Sequence, residues 1–258
     1  MNPPKRRLKL TVSSRGLRIW GLLFLLAGII GRGIVQNRLL NVDAIGIDTI
    51  VQMLEYDPNV LKFATMAVLF QGIETMAVPV FAFLLVEGFH YTSDVKAYLI
   101  RMTGAALLAE IPYNLVTTGK VFELTTRNPM FAMVLGLIAL IFFSQYAGTS
   151  VRNILAKCMV LLGALLWSAF LGVQNAVPVI AMILVLFLFR GNRNKQVIFG
   201  IAAAMLCGLL SEYYFASILG VAMLLLYNGE RGYSENKIVN YLSYPLVMLA
   251  VGIAARFI

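Results

Sequence analysis

Long apolar runs separated by short polar stretches dominate the chain. A membrane-crossing helix needs about 20 mostly apolar residues. Nine runs reach or approach that length: 17–35, 60–90, 95–116, 129–146, 154–171, 176–189, 197–210, 215–227 and 238–257. They predict an all-α polytopic bundle of about nine spans. The second run is too long for one straight crossing and carries Pro79, which predicts a kink or a tilt. Residues 47–54 follow a different rule: Ile47, Ile50, Val51 and Leu54 fall at helical spacing, with Asp48, Gln52 and Glu55 on other positions. That pattern predicts a short amphipathic helix, lying on the membrane surface or packed on the bundle.

Composition agrees with the pattern. Of 258 residues, 60% are hydrophobic and 13% charged, and the mean hydropathy is +0.84. An ordinary water-soluble domain carries roughly 25% charged residues. So few charges cannot cover so much apolar surface in water.

The net charge of +9 is informative through its placement. Lys5, Arg6, Arg7, Lys9, Arg15 and Arg18 crowd the first 18 residues. They predict a basic cytoplasmic tail over 1–16 that touches anionic lipid, ahead of a single transmembrane domain over 17–258. With the N-terminus inside, most of the 21 Lys and Arg fall on the inner side, and the acidic stretch with Asp43, Asp48, Glu55 and Asp57 falls outside. The C-terminus is then expected outside. No aromatic or Gly-rich recognition pattern accompanies the tail, so nucleic acid is not an expected partner; the lipid bilayer is. The first apolar run lacks a small-residue cleavage pattern and reads as a span that is its own insertion signal. Cys158 and Cys207 lie alone in apolar runs, so neither a disulfide framework nor a metal site is expected.

Ionisable residues at membrane depth are costly and mark candidate sites. Glu74, Glu87 and Glu110 qualify. Glu87 and His90 share one helix face, three residues apart, where they would relay a proton or fix helix packing. Glu110 precedes Pro112 and lies four residues before Asn114, an arrangement that would line a cavity at a helix break or clamp a bent helix. For Glu74 the expected partners are Lys62, Arg127 or water.

Specific motifs add to this. The run Pro79-Val-Phe-Ala-Phe-Leu-Leu-Val-Glu87-Gly88-Phe89-His90-Tyr91-Thr92, the residues Lys96, Tyr98 and Arg101, and Ala109-Glu110-Ile111-Pro112 resemble the TraX family of membrane proteins. Leu226-Tyr227-Asn228-Gly229-Glu230-Arg231-Gly232 with Tyr244-Pro245, and Asn128 with Gly136, fit the same resemblance. The resemblance implies a bacterial cytoplasmic membrane and a bundle related to membrane acyltransferases. These move an acyl group from cytoplasmic acyl-CoA to an acceptor at or across the membrane. Glu87, His90 and Glu110 would then handle protons. Arg101, Arg152, Arg190 and Arg193 would meet CoA phosphates. Pro79, Pro112, Asn114 and Asn128 would shape the cavity. No pilin substrate is implied.

Five places depart from the family pattern. Ala27-Gly28 stands where relatives carry Asp-His, Glu74-Thr75 for Gly-Arg, Arg127-Asn128 for Gln-Asn, Gln174-Asn175-Ala176 for Asp-Tyr-Gly, and Val247 for His. Both histidines able to act as a base are thereby lost. A second expectation follows: a non-catalytic relative that keeps the bundle as a scaffold or partner protein.

Overall fold

The computed structural model describes residues 11–146, 148–230 and 237–257. The first ten residues of the expected basic tail lie outside that set. Helix α1 (Ser14–Ile30) runs on into a π-helical stretch, Gly31–Leu39. Two short helices follow, α2 (Val42–Ile45) and α3 (Ile47–Met53). Then come α4 (Pro58–Thr75), α5 (Ala77–Tyr91), α6 (Val95–Thr117), α7 (Met130–Gln145), α8 (Val151–Phe170), α9 (Ala176–Leu188) and α10 (Arg193–Leu210). A mixed element comprises a 3-10 turn (Glu212–Ala216), α11 (Ser217–Met223) and a second 3-10 turn (Leu224–Leu226). Helix α12 (Lys237–Ala254) closes the bundle. Among the described residues the only extended pairings are isolated bridges, Val12 with Tyr227 and Arg127 with Val173.

Local chemistry sets the ends. Ser13, Asp94, Ser150 and Asn192 cap α1, α6, α8 and α10 by accepting from the backbone amides of Gly16, Ala97, Asn153 and Lys195. A capping carboxylate satisfies one of the orphan amides of the first turn. Asp94→Ala, which loses the 2.8 Å bond from Ala97, should lower stability by about 1 kcal/mol in thermal unfolding of the purified protein.

The long second apolar run does break, at Met76 rather than at Pro79 itself. Pro79 has no amide to bond back to the Thr75 carbonyl, and its ring crowds that carbonyl. The helix therefore gives way one turn upstream, and Pro79 sits in the first turn of α5. Pro112 loses the same bond, yet α6 continues through it to Thr117.

Of the three apolar cores among the described residues, the two larger organise the bundle. The larger joins α5, α7, α9 and α10 around Phe83, Leu137, Leu140, Ile180, Ile183 and Leu186. Helix α9 is buried nearly all round, as expected of a helix with no polar stripe. The second core joins α1, α6 and α12 through Ile29, Tyr113, Val116, Tyr244, Met248 and Val251. The expected short amphipathic helix packs by one side only. Ile50 is buried against Val35, Leu40 and Ala67, whereas Ile47 and Val51 point outward.

The outer surface is apolar. On α8, Leu155, Met159, Leu162, Leu166 and Phe170 are all exposed, Phe170 by 80%. A continuous apolar face of this kind is costly against water. Among the described residues, three stretches are long and apolar enough to cross a membrane: Ser14–Leu39, Pro58–Tyr91 and Val151–Phe170, of 26, 34 and 20 residues with mean hydropathy 1.8, 1.8 and 1.7.

Candidate site in the interior cavity

A cavity of about 1250 Å³ lies between the two cores. Its wall at one end carries Ser14, Arg18, Tyr91, Thr92, Tyr98, Arg101 and Tyr241. Lys96 follows in the first turn of α6, and Arg15 and Arg18 sit at the start of α1, so this end of the bundle is strongly basic. Deeper, the wall carries Arg32, Glu74, Tyr113, Tyr214 and Tyr244. Toward the opposite end it carries Thr126, Gln174, Asn175 and Ser211. Most drug-sized ligands occupy pockets of roughly 300–1,000 Å³. This cavity lies above that range.

At the basic mouth, Arg18 donates to Asn240 Oδ1 at 2.7 Å. Arg101 lies 5.9 Å from the Tyr241 ring centroid. Its Nε is buried and has no hydrogen-bond partner, and among the described residues Arg101 joins no salt bridge. Two of the three other arginines expected to meet phosphates are engaged elsewhere. Arg190 donates to Glu87 at 3.0 Å and stands over Tyr91. Arg193 donates to the Leu224 carbonyl and to Gln196, and stands against both the Phe83 and Tyr227 rings, which meet edge to face. Arg152 is exposed at the start of α8.

The three acid–base candidates separate. Glu87 lines the cavity, held by Arg190. His90 is exposed, does not line the cavity, and meets the edge of Tyr91 rather than Glu87. Glu110 faces the 118–129 loop. It accepts from Arg127 at 3.2 Å, from the Asn128 amide at 3.3 Å and from Asn128 Nδ2 at 2.6 Å. Asn128 Nδ2 also donates to Ala106 O. Asn114 Nδ2 donates to Glu123 O, so Glu110 and Asn114 both tie this loop to α6. Within the loop, backbone and side-chain hydrogen bonds from Thr125, then Lys120 and the Leu124 amide, hold the Glu123 carboxyl below the usual carboxylate range. The loop is joined in turn to the segment before α9, through Arg127 N to Gly172 O and Gln174 N to Arg127 O.

The most conspicuous group in the cavity wall is an ion pair that sequence reasoning did not assemble. Arg32 Nη2 lies 2.9 Å from Glu74 Oε2. Arg32 stands at the start of the π-helical stretch, and Glu74 two residues before the α4–α5 break. Gly28, one turn before Arg32, makes the approach possible: a Cβ there would collide with the Glu74 side chain. Tyr113, Tyr214 and Tyr244 lie within electrostatic reach of the pair. Thr75, next to Glu74, donates to Tyr213 O at 2.8 Å.

The positions that depart from the family pattern come together around this cavity. Gly28 packs on Glu74. Thr75, Gln174 and Asn175 line the wall. Arg127 binds the segment before α9, and Val247 packs in the core that contains Tyr113 and Tyr244. Helices with an apolar exterior enclose an interior cavity whose mixed wall carries charged and hydroxyl groups, which defines a membrane-type helical protein with an internal cavity. The chain belongs to the TraX family: that family's sequence model, described as TraX protein, matches residues 48–255, most of the chain. No curated protein and no solved structure matches it.

Proposed function

We propose that this TraX-family chain is a membrane acyltransferase that draws an acyl-CoA, acetyl-CoA in the simplest case, into the cavity from its basic end and passes the acyl group to an acceptor there. The observation that carries this reading is Arg101. A guanidinium with a buried, unpartnered nitrogen at the mouth of a large cavity, close to a second arginine, is suited to an anionic group. The depth fits an elongated donor. From Arg101 to Tyr113 along α6 is twelve residues, about 18 Å at ~1.5 Å per residue. A phosphate held at the mouth would leave a flexible thioester arm reaching the level of Arg32 and Glu74.

The same reading places the basic end at the cytoplasmic face of a bacterial inner membrane. The elements then make nine crossings, with α4 and α5 counted together and the α11 element as the eighth. Glu87 remains a candidate for proton handling at the inner half of the cavity. The tight pairing of Glu87 with Arg190 and of Glu110 with Arg127 supports the second reading, a scaffold that has kept the bundle without the chemistry.

Acetyl-CoA binding by the detergent-purified protein, with CoA release followed in parallel on membranes, separates the two. The acyltransferase reading expects binding and release. It also expects Arg101→Gln to raise KM for acetyl-CoA about tenfold, the ~1.4 kcal/mol of one charge-assisted contact, with little change in kcat. A folded sample that binds no acetyl-CoA at millimolar concentration would exclude it and leave the scaffold.

A further inference from the structure

We infer that the Arg32–Glu74 pair is the reaction centre of the cavity, with Glu74 as the general base and Arg32, assisted by Tyr214, as donor to the developing oxyanion. This rests on the acyltransferase reading and assigns its chemistry to residues of this chain.

The pair is built unlike a structural ion pair. A charge pair that only pins helices inside a membrane protein is stable when every donor and lone pair is satisfied in a dry setting. Here only Glu74 Oε2 and Arg32 Nη2 are bonded to each other. Among the described residues no hydrogen bond occupies Glu74 Oε1 or the remaining Arg32 nitrogens, and none of these atoms is among the buried unpartnered ones. They open onto the cavity, whose wall both residues form. Tyr214 adds an independent sign. It is 7% exposed, lines the same cavity, and its hydroxyl is buried with no partner. A buried hydroxyl without a partner costs about 1–3 kcal/mol, a cost that a ligand oxygen would remove.

The chemistry balances on these groups. The acceptor's N–H or O–H gives its proton to the Glu74 carboxylate as its lone pair forms a bond to the thioester carbonyl carbon. The carbonyl π electrons move to oxygen, which Arg32 and Tyr214 stabilise by hydrogen bonds. Collapse re-forms C=O and breaks the C–S bond. The departing thiolate takes the proton from Glu74, so acylated acceptor and free CoA thiol leave and the carboxylate is restored. Arg32 stays beside the carboxylate through both proton transfers, 2.9 Å from Oε2 in the resting pair.

The test uses the full chain in membranes with acetyl-CoA as the probe, reading CoA thiol release against pH alongside acetyl-CoA binding. Glu74→Gln should slow release by about 10²–10⁴-fold, the usual share of a general base, and leave binding within about threefold. It should also remove the acidic limb of the wild-type pH profile. The groups facing Glu74 besides Arg32 are Tyr113, Tyr214 and Tyr244, with Glu110 farther along α6, and all remain in the variant. Because Glu74→Gln leaves Arg32 without a counter-charge, the double variant Arg32→Gln with Glu74→Gln removes both charges. It should stay as slow as the single variant, whereas a merely structural pair would recover activity. Release within about threefold of wild type in either variant overturns the assignment and leaves the acyltransferase reading standing. A wild-type protein that neither binds acetyl-CoA nor releases CoA overturns both.

Discussion

Gly220→Val should cost the protein about 3 kcal/mol or more and lower its unfolding midpoint in detergent by on the order of 10 °C. Gly220 lies in α11, directly over the joint between α4 and α5. A Cβ at this position would strike the Met76 carbonyl oxygen and come within 2.7 Å of Pro79 Cγ. Neither obstacle can rotate away, since one is backbone and the other a closed ring. Overpacking elsewhere in the bundle would be relieved by rotamer changes. Here α11 must lift off the joint, and with it the chain that carries Tyr214. Gly163→Val in α8 provides the contrast. No atom lies within 4 Å of a Cβ there, and a folding midpoint close to wild type is expected.

Glu110→Ala should destabilise by about 3 kcal/mol, seen in the same unfolding assay, and should expose the 118–129 loop to limited proteolysis. Its carboxylate holds Arg127 and both nitrogens of Asn128. Asn128 is wholly buried. Truncation leaves a cation and two donors without their acceptor, and breaking a largely buried pair from one side typically costs 3–5 kcal/mol. Glu110→Gln keeps an acceptor for Asn128 Nδ2 and should lose less than half as much. Loss of acyl transfer in Glu110→Ala should follow the loss of folded protein. In Glu74→Gln it should not.

The helices with continuous apolar runs, α7 to α10, begin and end within a few residues of expectation, because hydropathy falls away at their ends and Ser150 and Asn192 cap the starts of α8 and α10. The break near Pro79 was legible in kind. Its position at Met76 depends on which carbonyl the missing amide would have met. Glu110 and Asn114 were legible as a polar pair on one face. That their partner is the 118–129 loop depends on how that loop folds back. The Arg32–Glu74 pair was the hardest to see. The two residues are 42 positions apart, and the contact exists because Gly28 leaves room on α1. Glu74 is costly at membrane depth from sequence alone, but its partner is Arg32 and not the expected Lys62, Arg127 or water. His90 shares a helical face with Glu87 in sequence, yet Arg190 reaches Glu87 from another helix. Spacing along one helix carries no information about such a competitor.

The joint at Met76 also fixes a depth. Straight, Pro58–Tyr91 would measure about 51 Å at ~1.5 Å per residue, against roughly 30 Å of hydrocarbon in a bilayer. A rod that long must lean, bend or protrude, and thinner or thicker membranes would ask it to do so by different amounts. Glu74 lies sixteen residues from the start of this element and seventeen from its end, about 24 and 26 Å. It therefore occupies the fulcrum of the lever. A change in the angle between the arms therefore leaves the carboxylate beside the joint, midway along the element.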